Sequence, residues 1–448
     1  MNPFSPRCLL AVIAMIAVLQ PTAGSAAPTA VRPLSTSERR MAAAIDRSIP
    51  AALMLLERTV NVNSGTMNFD GVREVGQIFR PELEALGFHT RWVDGADWGR
   101  AGHLVAERPG RGPHVLLIGH LDTVFERDSP FQRYERLDDS TARGPGVCDM
   151  KGGNIVMLLA LGALRDAGAL DRLRISVVLS GDEENAGVPL ALARRDLMAA
   201  AAAADIAIGF EDGAGDPRTA VVSRRSASSW VLRTSGKPSH SSQIFRADIG
   251  SGAIYEAARI LSAFRDSLAR EAYLTFNPGV IVGGTSTTLD LRESRGTAFG
   301  KSNVIAESTL VSGDLRALSI EQRERAKGVM QRIAAAHLPL TGADLQFSDS
   351  YPPLAPAEGN RRLLAMFDRA SQDLGFGPVD AVDPARAGAA DISFTEGLVD
   401  MAIDGVGLMG DGGHTVKETA RLNTLAIQAK RMAVTLARLA SGRTANAH

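Results

Sequence analysis

Short, continuous apolar runs that alternate with helical stretches constrain the fold of this chain most strongly. The stretches at 154–167 and 188–203 have helical composition and length. Strands that are apolar on both faces are typical of a sheet covered by helices on both sides, and such sheets are largely parallel. We therefore predict an α/β fold with a largely parallel sheet. The apolar runs are 114–119 (HVLLIG), 175–180 (ISVVLS), 206–210 (IAIGF) and 401–408 (MAIDGVGL).

A different pattern interrupts the predicted sheet between residues 224 and 340. An alternating segment at 228–234 precedes a long helical stretch at 250–269, two strand-like segments and a helix at 320–336. Strand, helix, strand, strand and helix in this order form an α+β unit of their own. We therefore expect residues 224–340 to be a domain inserted into a discontinuous domain of residues 37–223 and 341–440.

The N-terminus has the pattern of an export signal. Arg7 precedes an apolar run at 8–19, and small residues at 23–27 follow it. This pattern predicts a secretory signal peptide at residues 1–27, and the run is too short for a permanent membrane span. Removal of the signal would leave Cys148 as the one cysteine, so no intramolecular disulfide could form. We expect a secreted or periplasmic protein, with a retained membrane anchor as the alternative.

Composition and charge limit the possible partners. The chain of 448 residues is 45% hydrophobic, which is typical of a folded protein. Its formal net charge of -1 provides no general attraction to nucleic acid or to an anionic membrane. We therefore expect neither as a partner.

Histidine and acidic residues follow the predicted strands, and ligands of an open α/β sheet bind at the carboxyl ends of its strands. Imidazole and carboxylate groups without thiolate suit zinc, with cobalt or manganese as alternatives. Five such residues exceed the needs of one tetrahedral zinc, so we predict two metals bridged by one carboxylate, a site suited to hydrolysis. The five candidates are His120, Asp149, Glu184, Glu211 and His414.

Taken singly, these segments have plainer interpretations. His120 could be a structural histidine, Asp149 could cap the helix that follows it, and the acids at 182–184 could form a solvated loop. Their common position beside strand ends favours one site. Asp122, two residues after His120, would then hold the second ring nitrogen of this ligand.

The ordered segments resemble the motifs of the zinc-dependent exopeptidase and aminoacylase family, which includes glutamate carboxypeptidase of the carboxypeptidase G type. The resemblance covers about residues 40 to 440. The segments are H-L-D-T-V at 120–124, D-M-K-G-G at 149–153, D-E-E at 182–184, F-E at 210–211 and G-D-G-G-H at 410–414.

The resemblance implies a ligand assignment. His120 and Glu211 would bind one zinc ion, His414 and Glu184 would bind the other, and Asp149 would bridge the two.

The resemblance also implies the remaining site residues. Glu183 would be the general base that takes a proton from the metal-bridging water and passes it to the leaving nitrogen. Asp122 would orient His120. The family's inserted lid domain often mediates dimerisation, which implies a homodimer in which His240 reaches the partner's site and stabilises the oxyanion. Asn303 and Arg316 match lid positions that face the substrate, and the guanidinium of Arg316 suits a free carboxylate.

The function implied is a secreted dinuclear-zinc carboxypeptidase that cleaves a C-terminal amino acid from a small peptide or an N-acyl amino acid. An N-acyl-amino-acid deacylase or a dipeptidase would use the same metal chemistry. A binding protein without catalysis would lack a ligand or the base, whereas this chain has all of them. The chain departs from the family pattern at Gly388-Ala389-Ala390-Asp391, where the flanking glycine and hydroxyl are replaced. We therefore expect the substrate side of the pocket to differ from that of relatives. Arg224, Arg225 and Arg386 are weaker candidates than Arg316 for binding the substrate carboxylate, since each is interpreted as an ordinary surface charge.

Overall fold

The computed structural model describes residues 32–291 and 294–442, so the predicted signal peptide at 1–27 lies outside the described residues. Within these two ranges, no helix is both long and apolar enough to cross a membrane. The helices are α1 (Thr36–Val60), α2 (Phe69–Glu84), α3 (Lys151–Asp166), α4 (Leu190–Ala193), α5 (Arg195–Ala202), α6 (Gly252–Leu268), α7 (Ile320–Ala335), α8 (Glu358–Asp373) and α9 (Asn423–Ala440). The strands are β1 (His89–Asp94), β2 (Gly102–Arg108), β3 (His114–His120), β4 (Glu135–Arg136), β5 (Thr141–Arg143), β6 (Arg174–Ser180), β7 (Ile206–Gly209), β8 (Thr219–Ala220), β9 (Ser228–Gly236), β10 (Thr275–Gly284), β11 (Ser286–Asp290), β12 (Arg295–Phe299), β13 (Ser308–Arg316), β14 (Thr341–Asp349), β15 (Asp380–Ala381), β16 (Met401–Ile403), β17 (Gly410–Asp411) and β18 (Thr419–Arg421).

A six-stranded sheet forms the central layer, in the order β1-β2-β6-β3-β7-β16. Strands β6, β3, β7 and β16 are parallel, whereas β2 and β1 continue the sheet in antiparallel pairing. One face packs against α1, α3 and α9, and the other packs against α5 and residues 391–395. Because both faces are covered, β3 is buried along its whole length. The predicted α/β fold with a largely parallel sheet is confirmed.

Two local predictions differ from the structure. The run at 401–408 is a strand only over Met401–Ile403, because the chain turns at Gly405, where φ is 68°. Helix α1 runs through Pro50, where the sequence predicts an interruption. Pro50 and Asp46, whose carbonyl loses its N–H partner, are both exposed. Ile45 and Leu56 anchor the helix in the core on either side.

Four strands between residues 228 and 349 form a second, antiparallel sheet in the order β10-β13-β9-β14. Helices α6 and α7 pack on it through an apolar cluster that includes Trp230, Phe264 and Met330. Strand β14 pairs with β9 along its length, so the last strand of this sheet begins at Thr341, just after the predicted domain boundary. The division into two domains stays a prediction.

Two short connections join the second sheet to the rest of the chain, and they pair with each other. Arg224 and Leu354 exchange main-chain hydrogen bonds of 2.9 Å. Ala227 donates to the carbonyl of Tyr351 at 3.0 Å and accepts from Ser350 at 3.0 Å. The second sheet is therefore attached through a two-stranded ribbon.

Candidate metal centre

The central sheet brings three of the five candidate ligands together at the carboxyl ends of its parallel strands. His120 is the last residue of β3, Glu184 lies four residues after β6, and Glu211 lies two residues after β7. Because β3 lies between β6 and β7 in the sheet, the loops that follow these strands meet. Their common position follows from the strand order.

Asp149 lies between the two candidate histidines. Its Oδ1 is 3.1 Å from Nε2 of His120, and its Oδ2 is 3.1 Å from Nε2 of His414. Met150 occupies the N-cap of α3, and no side chain makes a capping hydrogen bond there. The carboxylate of Asp149 therefore faces the histidines and does not cap the helix.

Each of the remaining two carboxylates lies beside one of the histidines. Oε1 of Glu211 is 3.6 Å from Nε2 of His120, and Oε2 of Glu184 is 3.1 Å from Nε2 of His414. Ligand atoms of His120, Asp149 and Glu184 all lie within 4.8 Å of one another. This geometry fits two cations that share Asp149, each with one further carboxylate and one imidazole.

Asp122 is fully buried behind His120 and contacts it in two ways. Its main-chain oxygen is 3.0 Å from Nδ1 of His120, and its Oδ1 is 3.4 Å from the same atom. The carboxylate also accepts hydrogen bonds from the N–H groups of Glu183 and Glu184, both at 3.1 Å, and from the hydroxyl of Thr66 at 2.7 Å. Asp122 thus fixes the imidazole and the acidic loop together.

Burial and mutual repulsion raise the pKa values of acidic groups in this site. Burial raises the pKa of Glu211 well above its usual range, and Asp149 and Glu183 raise it further. Burial also raises the pKa of Glu184. Hydrogen bonds to Asp149 and Glu184 raise the pKa of His414 to about 11. A divalent cation would favour the ionised carboxylates and the neutral imidazoles, which are the forms that bind metal.

A buried ionic network behind the acidic loop was not predicted. Nη1 of Arg194 is 2.6 Å from Oδ1 of Asp182, and Nε of Arg194 is 2.7 Å from Oδ1 of Asp391. Arg194 also donates to the hydroxyl of Tyr351 at 2.8 Å. The sequence signal was weak, because an arginine in the alanine-rich stretch at 188–203 looks like a surface charge.

Two further groups support the ligand loops. Glu418 accepts N–H hydrogen bonds from the loop before α3, including those of Cys148 at 3.0 Å and Asp149 at 3.2 Å. The expectation that Arg224 is a surface charge is wrong, since it is buried and pairs with Oδ2 of Asp404 at 2.8 Å. The other oxygen of Asp404 accepts the N–H of Glu211 at 3.3 Å.

The predicted lid residues lie in and beside the second sheet. His240 is exposed and its Nδ1 is 2.8 Å from the hydroxyl of Ser242, while the carbonyl of Asn303 accepts the N–H of Ser241 at 2.9 Å. His240 and Asn303 are therefore neighbours. Arg316, at the end of β13, pairs with Asp314 at 3.1 Å. The roles of these residues stay predictions.

Comparisons with known proteins agree with this geometry. A family model described as peptidase family M20/M25/M40 matches residues 116–438, a range that includes all five candidate ligands. Carboxypeptidase G2 from Pseudomonas sp. is 27% identical, covering 82% of this chain and 84% of its own. A succinyl-diaminopimelate desuccinylase from Bradyrhizobium sp. is 29% identical, covering 56% of this chain and 68% of its own. The crystal structure of aminopeptidase PepT from Bacillus cereus is 18% identical with a TM-score of 0.68, covering 88% of this chain and 99% of its own. The chain therefore belongs to peptidase family M20/M25/M40 and is a hydrolase.

Proposed function

We propose that this hydrolase is a secreted, dinuclear-zinc metallopeptidase of glutamate carboxypeptidase type. It would cleave the amide bond to a C-terminal amino acid in small peptides or N-acyl amino acids. The position of Asp149, with one histidine at each carboxylate oxygen, carries the metal assignment. The similarity to carboxypeptidase G2 over most of both chains supports the choice of reaction. The proposal that the protein is exported rests on the signal-peptide pattern of residues 1–27.

Five residues would hold the two metal ions. His120 and Glu211 would bind one ion, His414 and Glu184 the other, and Asp149 both. The donor set of imidazole and carboxylate suits zinc, with cobalt or manganese as alternatives. When bound, the ions would polarise the scissile carbonyl and lower the pKa of a water molecule.

Glu183 would carry the proton through the reaction. Its carboxylate accepts a proton from the attacking water as the water oxygen bonds to the carbonyl carbon. The same proton then passes to the amide nitrogen as the carbon–nitrogen bond breaks, which releases the amine and a carboxylic acid, and the acid gives its proton to the amine. Burial raises the pKa of Glu183 well above its usual range, and the positive charge of bound cations would oppose this rise and favour the ionised carboxylate that a base requires.

Arg316 and Asn303 are the proposed contacts to the substrate. A C-terminal amino acid presents a free carboxylate, which a guanidinium group binds in a planar, bidentate manner. The side chain of Arg316 is 38% exposed although it pairs with Asp314, so it remains accessible to a ligand.

A homodimer would complete the site through His240. β10 lies at one edge of the second sheet, and the main-chain groups of an edge strand can pair with a second chain. Mixing inactive His240→Ala and Glu183→Gln chains should restore partial activity, because one hybrid site would contain both groups intact. No recovery after demonstrated subunit exchange would contradict the role of His240 across a dimer.

An N-acyl-amino-acid deacylase is the second candidate, because the desuccinylase relative covers more than half of this chain. A dipeptidase would share the metal chemistry as well. A release assay on N-blocked dipeptides that end in glutamate, N-succinyl diamino acids and free dipeptides separates the three. Preferred release of glutamate from the N-blocked dipeptides supports the carboxypeptidase, whereas a preference for succinyl substrates or free dipeptides would replace it.

A further inference from the structure

We propose that Tyr351 is a positioning residue for the general base, because its hydroxyl group holds the peptide unit that joins Glu183 to Glu184. The proposal rests on the proposed function, in which Glu183 accepts the proton and Glu184 binds a metal ion. Tyr351 lies two residues after β14, in the ribbon that attaches the second sheet.

The peptide unit between Glu183 and Glu184 is held at both ends. Its carbonyl oxygen, which belongs to Glu183, accepts a hydrogen bond from the hydroxyl of Tyr351 at 2.7 Å. Its N–H group, which belongs to Glu184, donates to Oδ2 of Asp122 at 3.1 Å. Rotation of this unit would turn both side chains, so the two hydrogen bonds together fix the base relative to the ligand.

The direction of the Tyr351 hydrogen bond is determined by Arg194. A guanidinium group only donates, so the tyrosine oxygen accepts from Nη2 of Arg194 at 2.8 Å. The hydroxyl hydrogen is then free to point to the carbonyl of Glu183, which only accepts. Arg194 is itself held by Asp182 and Asp391, at 2.6 and 2.7 Å. The donor to Glu183 is therefore pre-oriented.

The ring of Tyr351 is fixed by packing. Tyr351 is 8% exposed, and its ring centroid lies 5.1 Å from that of Phe394. The guanidinium of Arg194 lies 5.7 Å from the Tyr351 ring and 5.5 Å from the Phe394 ring. The hydroxyl cannot leave Glu183 without displacing this cluster.

Tyr351→Phe removes the donor and keeps the ring. We expect kcat for N-benzoyl-glutamate to fall about 10- to 100-fold, the range for loss of a hydrogen bond that orients a site residue, with KM within about threefold. Metal content should equal that of the wild type, because Asp122 still accepts the N–H of Glu184 and the other four ligands keep their contacts. A kcat within about threefold of the wild type would overturn the proposal.

Phe394→Leu is the matched control for packing. It shortens the packing partner of the ring, while the hydrogen bonds of the Tyr351 hydroxyl to Arg194 and Glu183 remain, so kcat should stay within about threefold even if the melting temperature falls. Equal losses of kcat in Phe394→Leu and Tyr351→Phe would show that Tyr351 only stabilises the fold. If Tyr351→Phe does not fold, 4-fluorophenylalanine at position 351 fills the space of the hydroxyl without its donor, and the same loss of kcat is expected.

Measuring the effect of Tyr351→Phe in a protein that already carries Glu183→Gln distinguishes this proposal from the proposed function. Once the base is absent, Tyr351→Phe should change the residual rate less than about twofold. A full additional loss in that background would contradict action through Glu183. Near-normal turnover of Glu183→Gln alone would instead refute the base assignment, whatever the effect of Tyr351.

Discussion

Replacement of Arg194 by methionine should strongly destabilise the protein. Arg194 is 1% exposed and forms ion pairs with Asp182 and Asp391, whose side chains are 0% and 3% exposed. Methionine occupies part of the same volume and has no charge. Asp182 would keep the N–H of Gly187 at 2.9 Å, and Asp391 would keep the hydroxyl of Ser180, but neither would keep a cation.

The expected loss follows from leaving buried carboxylates without a partner. Removal of one partner of a buried ion pair costs about 3–5 kcal/mol. Arg194→Met removes the shared cation of two such pairs, so we expect a decrease in the free energy of unfolding in this range. The neighbouring Arg195→Met is the control: Arg195 pairs with Asp196 at 3.1 Å and its side chain is 60% exposed. A change below about 0.5 kcal/mol is expected there.

Equilibrium unfolding in urea, followed by tryptophan fluorescence, measures both variants. Trp98 is a suitable probe because its ring stacks on that of His103, whose Nδ1 accepts the N–H of Gly181 beside the acidic loop. A loss below about 1 kcal/mol for Arg194→Met, or equal losses at positions 194 and 195, would refute the reasoning that the buried network stabilises the fold.

Three further predictions follow from the site and from the packing of the termini. Glu183→Gln should keep the bound metal and lose about 10²- to 10⁴-fold in kcat, since general base catalysis contributes this much; near-normal turnover would contradict it. Elemental analysis should find about two zinc ions per active chain, and removal by a chelator should abolish activity that added zinc restores; active protein without metal would contradict the assignment. The pKa of Glu38 is lowered, despite burial, by Ser35 and by the guanidinium of Arg438, so its stabilising effect is present above the unfolded-state pKa and is lost as the pH falls through the lower folded-state pKa. Glu38→Gln should therefore reduce the free energy of unfolding by about 1 kcal/mol at pH 7 and the difference should disappear in acid; an equal difference at both pH values would contradict it.

The sequence predicts the central sheet because its strands are buried on both faces. β3 and β6 contain continuous apolar runs of strand length, which are typical of strands that are covered on both faces. β1 has alternating exposure and lies at the sheet edge, so its sequence, HTRWVD, has no apolar run. The same reasoning predicts that His120, Glu184 and Glu211 lie together, because the sequence itself shows which residues stand at or just after the end of each predicted strand.

Other parts of the site depend on contacts between distant segments. Arg194 and Asp391 are 197 positions apart, and Arg224 and Asp404 are 180 apart. Local composition cannot identify such partners, and a charged residue in a helical or loop segment is usually exposed. These arginines are buried because segments that are distant in the chain pack over them. The spacing of apolar residues within one segment does not show that packing.

The two strands of the connecting ribbon differ in what they hold. Arg224, on the strand that leads into the second sheet, pairs with Asp404, which accepts the N–H of Glu211. Tyr351, on the strand that leads out, donates to the carbonyl of Glu183. Each strand is thus linked through side chains to a different acidic loop, one on each side of β3. Because the two strands also pair with each other, the positions of the two loops depend on one ribbon, and the attachment of the second sheet is part of the structure that sets the geometry of the candidate metal centre.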